Sequence, residues 1–138
     1  MSDPPLRGSR LGGRGTPIPQ NPRSPILVVE DEADVRESLR EILEESGYDV
    51  YCASNGKEAL ELLARADPRP GLILLDMVMP VMNGQEMLAA LKQVHALAAI
   101  PVTIVSGSLE KPPASSFLNK PVDFNALLAL VEKTCGHP

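Results

Sequence analysis

From residue 25 onward, short unbroken apolar runs alternate with stretches in which apolar residues recur at every third or fourth position. Runs of the first kind read as strands buried on both faces, and stretches of the second kind as amphipathic helices. Ile26-Leu27-Val28-Val29 is the first strand. A helix from about Asp34 to Ser46 follows, with Val35, Leu39, Ile42 and Leu43 inward and Gly47 as its stop. Val50 to Ala53 reads as the second strand and Gly56 to Ala66 as the second helix, closed by Asp67-Pro68. Gly71 to Leu75 is apolar throughout, which predicts a central third strand ending at Asp76. A loop through Pro80 and Asn83-Gly84 leads to a third helix from about Gln85 to Leu97. Pro101 to Val105 and Ser116 to Leu118 are the fourth and fifth strands, and Asp123 to Cys135 is the last helix. This alternation is the mark of an α/β fold with a five-stranded parallel sheet covered by helices on both faces.

Two stretches stand outside the pattern. Residues 1 to 25 hold six prolines and four glycines with almost no apolar content, so ordering them gains too little burial to offset its entropy. Residues 1–24 are therefore expected to be a disordered tail, and 25–136 one domain. The glycines from Gly8 to Gly15 have neither a strand before them nor a helix after them, as a phosphate-cradling loop would need. Between Ser106 and Lys120 only thirteen residues intervene, among them Lys111-Pro112-Pro113. Consecutive prolines oppose a helix, so residues 107 to 115 are expected to form a loop or at most one helical turn.

Composition narrows the function. A chain of 138 residues, 43% hydrophobic and 22% charged, can bury a core of its own, which with 3% aromatics and no Trp must be aliphatic. The net charge of -5 divides into +3 over residues 1 to 25 and -8 over the rest, and an acidic body excludes nucleic-acid binding through the domain. Cys52 and Cys135 form no C-x-x-C and no cluster with histidine, which excludes a zinc site and fits a reducing compartment. No apolar run is long enough to span a membrane and the N-terminus lacks the apolar core of a signal peptide, so the chain is expected in the cytoplasm.

The chemistry-bearing residues fall at strand ends: Glu30 and Asp31 after the first, Asp76 after the third, Ser106 after the fourth and Lys120 after the fifth. In an open parallel sheet, ligands bind outside the carboxyl ends of the strands. Three carboxylates gathered there repel by roughly 4 kcal/mol per pair at 4 Å and an effective dielectric of 20. A hard divalent cation with oxygen ligands is the natural neutraliser; magnesium takes one or two carboxylates, waters and a phosphate oxygen. That set suits phosphoryl transfer, in which positioning and charge stabilisation dominate, with Asp76 as a carboxylate nucleophile. Lys120 and the Ser106 hydroxyl would hold phosphoryl oxygens.

Residues 26–32 (ILVVEDE), 74–80 (LLDMVMP) with Asn83-Gly84, 101–107 (PVTIVSG) and 117–121 (FLNKP) together resemble the receiver domains of two-component response regulators over about residues 25 to 135. The resemblance implies a flavodoxin-like, doubly wound sheet in the order 2-1-3-4-5. It implies that Asp76 is the phosphoacceptor, and that Glu30, Asp31, Asp76 and the backbone carbonyl of Val78 bind Mg2+. It further implies that Lys120 and Ser106 are the catalytic side chains, that Ser106 and Phe117 form the switch, and that the peptide before Pro121 is cis. Its phosphodonor would be a sensor histidine kinase or a histidine phosphotransfer protein, and its output a downstream protein target.

Taken singly, each of these residues has a plainer reading: acids near a helix N-terminus, a turn at Asp76 or Ser106-Gly107, a solvated Lys120, a core Phe117. Their joint occurrence, in order and on the right strands, carries the assignment. Two features depart from the family pattern: Glu30 stands where aspartate is more usual, and the shortened fourth-helix region reduces a common signalling face, which turns output toward another surface such as the first helix. The expected protein is a single-domain response regulator that catalyses only its own phosphorylation and dephosphorylation. The alternative is a constitutive interaction module little used as a phosphoacceptor. An aspartate-nucleophile phosphatase ranks below both, because Val78 stands where such enzymes place a second aspartate.

Overall fold

The computed structural model describes residues 24–107 and 116–135. Its elements are β1 (Ile26–Val29), α1 (Ala33–Glu45), β2 (Val50–Ala53), α2 (Gly56–Arg65), β3 (Leu72–Asp76), α3 (Gly84–Lys92), α4 (His95–Ala98), β4 (Val102–Ser106), β5 (Ser116–Asn119) and α5 (Phe124–Cys135). All strands pair in parallel, in the order β2-β1-β3-β4-β5. The fold is therefore the doubly wound, flavodoxin-like arrangement that the apolar runs and the resemblance point to.

Every residue of β1, β3 and β4 is buried, as strands covered on both faces require, whereas the edge strands β2 and β5 are half-exposed. The pleat sends alternate side chains to opposite faces. Leu27, Val29, Ile73, Leu75 and Ile104 pack with Leu63 of α2 and Met87 and Leu91 of α3, while Ile26, Val28, Leu72, Leu74 and Val105 pack with Leu39 and Leu43 of α1 and Leu127 and Val131 of α5. Met79 and Met87 fill the first of these cores and Met77 and Met82 pack against it, the gap-filling role suited to a flexible thioether. Thr103 is fully buried, and its hydroxyl shares a hydrogen bond of 2.6 Å with Ser116, its register partner on β5.

Gly47 ends α1 at a φ of 93°, a left-handed turn that glycine adopts without a steric penalty. The stretch expected as one helix from Gln85 to Leu97 is instead two pieces. Gln93 and Val94 donate to the carbonyls of Ala90 and Leu91, the tightened closure of a helix end, and Val94 is extended before a single turn resumes at His95. Leu97 stays in phase with the buried face, which is why the periodicity reads straight through the break. The expected tail lies outside the described residues except Ser24, and so does the expected short connection after β4, except Gly107.

Candidate functional site

β1 has β2 on one side and β3 on the other, so the sheet reverses its winding there, and a crevice opens beyond the carboxyl ends of β1 and β3. Glu30 follows β1, with its N–H donated to the Ala53 carbonyl, and Asp76 is the last residue of β3. Both are buried, at 1% and 5% exposure, while Asp31 is exposed. One carboxylate oxygen from each of the three lies within 4.8 Å of the others. Lys120, one residue past β5, enters from the opposite side with its Nζ 3.3 Å from both Glu30 Oε1 and Asp76 Oδ1. Its peptide to Pro121 is cis.

The surrounding main chain fixes these groups. The Val78 N–H donates to Asp76 Oδ1 at 3.3 Å, the Glu32 N–H to Glu30 Oε2 at 3.2 Å, and the Lys120 N–H to the Ser106 carbonyl at 3.1 Å. Asn83 caps α3 by accepting from the Glu86 N–H, and Glu86 accepts from the Asn83 N–H in return, a reciprocal box that anchors the far end of the β3–α3 loop. Ser106 is buried at the end of β4, one position beyond the register partner of Asp76.

Burial is the main reason that the Glu30 carboxyl is pushed up to about 7; the Glu32 N–H opposes the shift, Asp76 adds to it and Lys120 opposes it. For Lys120, partial burial acts downward, but Asp76 and Glu30 together outweigh it and hold the ammonium above the ordinary lysine value. Three carboxyl groups face one ammonium, so once all three are ionised the cluster of hard oxygen donors carries a deficit of two positive charges. A divalent cation with an appetite for oxygen fits that donor set; a soft, thiolate-seeking metal does not.

A family model for the response regulator receiver domain matches residues 26–132, which contain the whole constellation. The chain belongs to the response regulator receiver family. The receiver is 37% identical over 118 residues to a 14.6 kDa protein in the sodA1 3′ region of Leptolyngbya boryana, covering 80% of this chain and 88% of that one. It is 35% identical over 111 residues to the transcriptional regulatory protein CpxR of Escherichia coli K12, covering 77% of this chain and 47% of CpxR, so it spans about half of that regulator. Among solved structures, the signal receiver domain of a signal transduction histidine kinase from Syntrophus aciditrophicus superposes with a TM-score of 0.73 at 34% identity, covering 80% of this chain and 89% of that one.

The structure thus brings Glu30, Asp31, Asp76 and Lys120 of the receiver together and sets Ser106 on the strand beside Asp76. Phe117 is half-buried against the core on the α2–α3 side. The Val78 side chain is 78% exposed. Arg36 is a participant that the sequence does not advertise: its Nη1 donates to the Glu30 carbonyl at 2.8 Å and to the Asp31 carbonyl at 3.4 Å. Beside the site, a cleft of about 320 Å3 is lined by Glu32, Val35 and Leu39 of the α1 side and Lys120, Val122 and Phe124 of the β5–α5 side. Among the described residues, no helix is long and apolar enough to cross a membrane.

Proposed function

We propose that the receiver accepts a phosphoryl group on Asp76 and switches the binding of a protein partner in response. The observation that carries this reading is the buried Asp76 carboxylate with an ammonium 3.3 Å away and two further carboxylates beside it. Such an oxygen has few protein partners to displace before it attacks, and the group that would repel an incoming phosphate is offset by Lys120. Glu30, Asp31, Asp76 and the main-chain carbonyl of Val78 would hold Mg2+. That ion, when bound, supplies positive charge to a phosphoryl oxygen.

In the transfer, a bond forms between an Asp76 carboxylate oxygen and phosphorus as the P–N bond of a donor phosphohistidine breaks, and the donor ring, already protonated on its other nitrogen, takes the electron pair and leaves as neutral imidazole. Lys120 and the Ser106 hydroxyl stabilise the equatorial oxygens, where transition-state charge gathers. Once the acyl phosphate exists, Ser106 follows the new oxygens and Phe117 on the neighbouring strand adjusts with it. The donor is a sensor histidine kinase or a histidine phosphotransfer protein. We place the donor at the cleft lined by α1 and Lys120, whose ammonium pairs with Asp76. The chain catalyses no reaction other than its own phosphorylation and dephosphorylation, and it works in the cytoplasm, where such donors present their histidines.

The test is intact-protein mass after incubation with magnesium and acetyl phosphate, with Asp76→Asn as the control. One labile phosphate that requires magnesium and is lost in the variant supports the reading. A folded protein that stays unmodified by both acetyl phosphate and a phosphorylated histidine kinase supports a constitutive interaction module instead.

A further inference from the structure

We infer that Arg36 is a positioning residue for the acidic pair: by tying the carbonyls of Glu30 and Asp31 to α1, its guanidinium sets the aim of their carboxylates and hence the affinity for a divalent cation. The inference rests on the cation-binding reading of the cluster given above.

Among the described residues, the turn from β1 into α1 has little else to hold it. The N–H of Glu30 still pairs with β2, but the carbonyls of Glu30 and Asp31 lie beyond the strand. Helix α1 has Glu32 at its N-cap, and that side chain makes no capping hydrogen bond, so the usual tie between a helix and the chain entering it is missing. The Glu32 N–H is bonded to Glu30 Oε2, an oxygen of a carboxylate in the candidate cation cluster. Among the described residues what remains is Arg36, on the first turn of α1, with one nitrogen on both carbonyls.

The direction taken by this arginine is itself informative. One turn later on the same helix, Arg40 pairs with the carboxylates of Glu37 and Glu44, as an arginine on an acidic helix surface does. Arg36 forms no ion pair among the described residues, and its side chain is half-buried against main-chain carbonyls. A guanidinium has only donors to offer, in a fixed plane, so it can restrain two neighbouring carbonyls without competing for the cation as a ligand. Groups that orient the ligands of a metal typically account for a factor of about 10 to 100 in its affinity.

Charge alone makes the opposite forecast. A positive group close to the cluster repels a cation, so its removal would tighten binding unless the positioning role dominates. The experiment is Mg2+ and Mn2+ titration by calorimetry on wild type, Arg36→Met and Arg36→Lys, with Val131→Ala as a control destabilised in the core far from the turn. Arg36→Met is expected to raise the dissociation constant at least about tenfold, Arg36→Lys to recover part of the loss, and Val131→Ala to match wild type. An unchanged or tighter dissociation constant in folded Arg36→Met overturns the inference, as does an equal loss in Val131→Ala. If Arg36→Met does not fold, Arg36→Lys decides alone, with wild-type affinity counting against the role. Wild-type protein that binds neither ion, or binds them as well after Asp31→Asn, overturns the cation-binding reading and the inference with it.

Discussion

Glu30 and Lys120 meet at 3.3 Å across the crevice, one side chain 2% exposed and the other 28%. The more deeply buried partner bears the desolvation, which is why the Glu30 carboxyl stands near 7 against an ordinary 4.5 although a cation faces it. Between these two values the folded chain binds a proton that the unfolded chain releases. The contribution of Glu30 is therefore fully present below about pH 4.5 and is lost as pH rises through 7, by up to about 3 kcal/mol. Urea unfolding of metal-free protein at pH 5 and pH 8, with Glu30→Gln beside wild type, isolates the effect. Wild type is expected to lose stability relative to the variant toward pH 8; parallel behaviour of the two proteins would show that burial does not govern this carboxyl.

Removal of the ammonium tests the other half of the pair. Lys120→Met leaves Glu30 and Asp76 without their shared counter-charge, and under the proposed transfer it leaves one phosphoryl oxygen unsupported. Loss of one preorganised charge at such a position slows transfer by about 100-fold. The initial rate of mass gain from acetyl phosphate in saturating magnesium measures it. A rate within twofold of wild type would remove Lys120 from the reaction.

Gly84 packs directly against the main chain of Asp76 and Met77. A Cβ there would stand 2.8 Å from the Asp76 carbonyl oxygen and from the Met77 Cα, and 2.6 Å from the Met77 sulfur. The sulfur can swing away, but the main chain cannot yield without moving Asp76. Alanine would ordinarily gain about 1 kcal/mol over glycine in a helix, yet Gly84→Ala is expected to lose about 1–3 kcal/mol through overpacking. Thermal unfolding together with the phosphorylation rate checks both consequences, and a Gly84→Ala protein more stable than wild type would show that the loop yields freely.

The parts legible in the sequence are those set by local pattern. β1, β3 and β4 are unbroken apolar runs because both their faces are covered, and Glu30, Asp76, Ser106 and Lys120 are conspicuous because they interrupt the pattern at strand ends. What escaped reading depends on geometry that pattern does not carry. The break at Gln93-Val94 is hidden by Leu97 remaining in phase. Arg36 looks like another surface charge on an acidic helix, and only the folded turn between β1 and α1 brings the carbonyls within its reach. Likewise Gly56 donates to the Met82 carbonyl across 26 positions, joining α2 to the β3–α3 loop by a contact that tertiary packing alone creates.

That same loop contains Val81, whose φ of 68° is the left-handed side of backbone space, where a β-branched side chain is strained. The Met82 N–H closes on the Pro80 carbonyl at 2.7 Å around it, a three-residue turn. Strain of this kind costs about 1–3 kcal/mol, and since the side chain is 73% exposed, little burial offsets it. Val81→Gly relieves the strain, while the greater freedom of glycine in the unfolded chain takes back part of the gain. The net expectation is about 1 kcal/mol of added stability, read as a higher urea midpoint with an unchanged slope. Divalent affinity separates two roles for the turn. If the strain serves only to fit the chain, affinity follows wild type; if it aims the loop at Asp76, the stabler variant binds the ion more weakly.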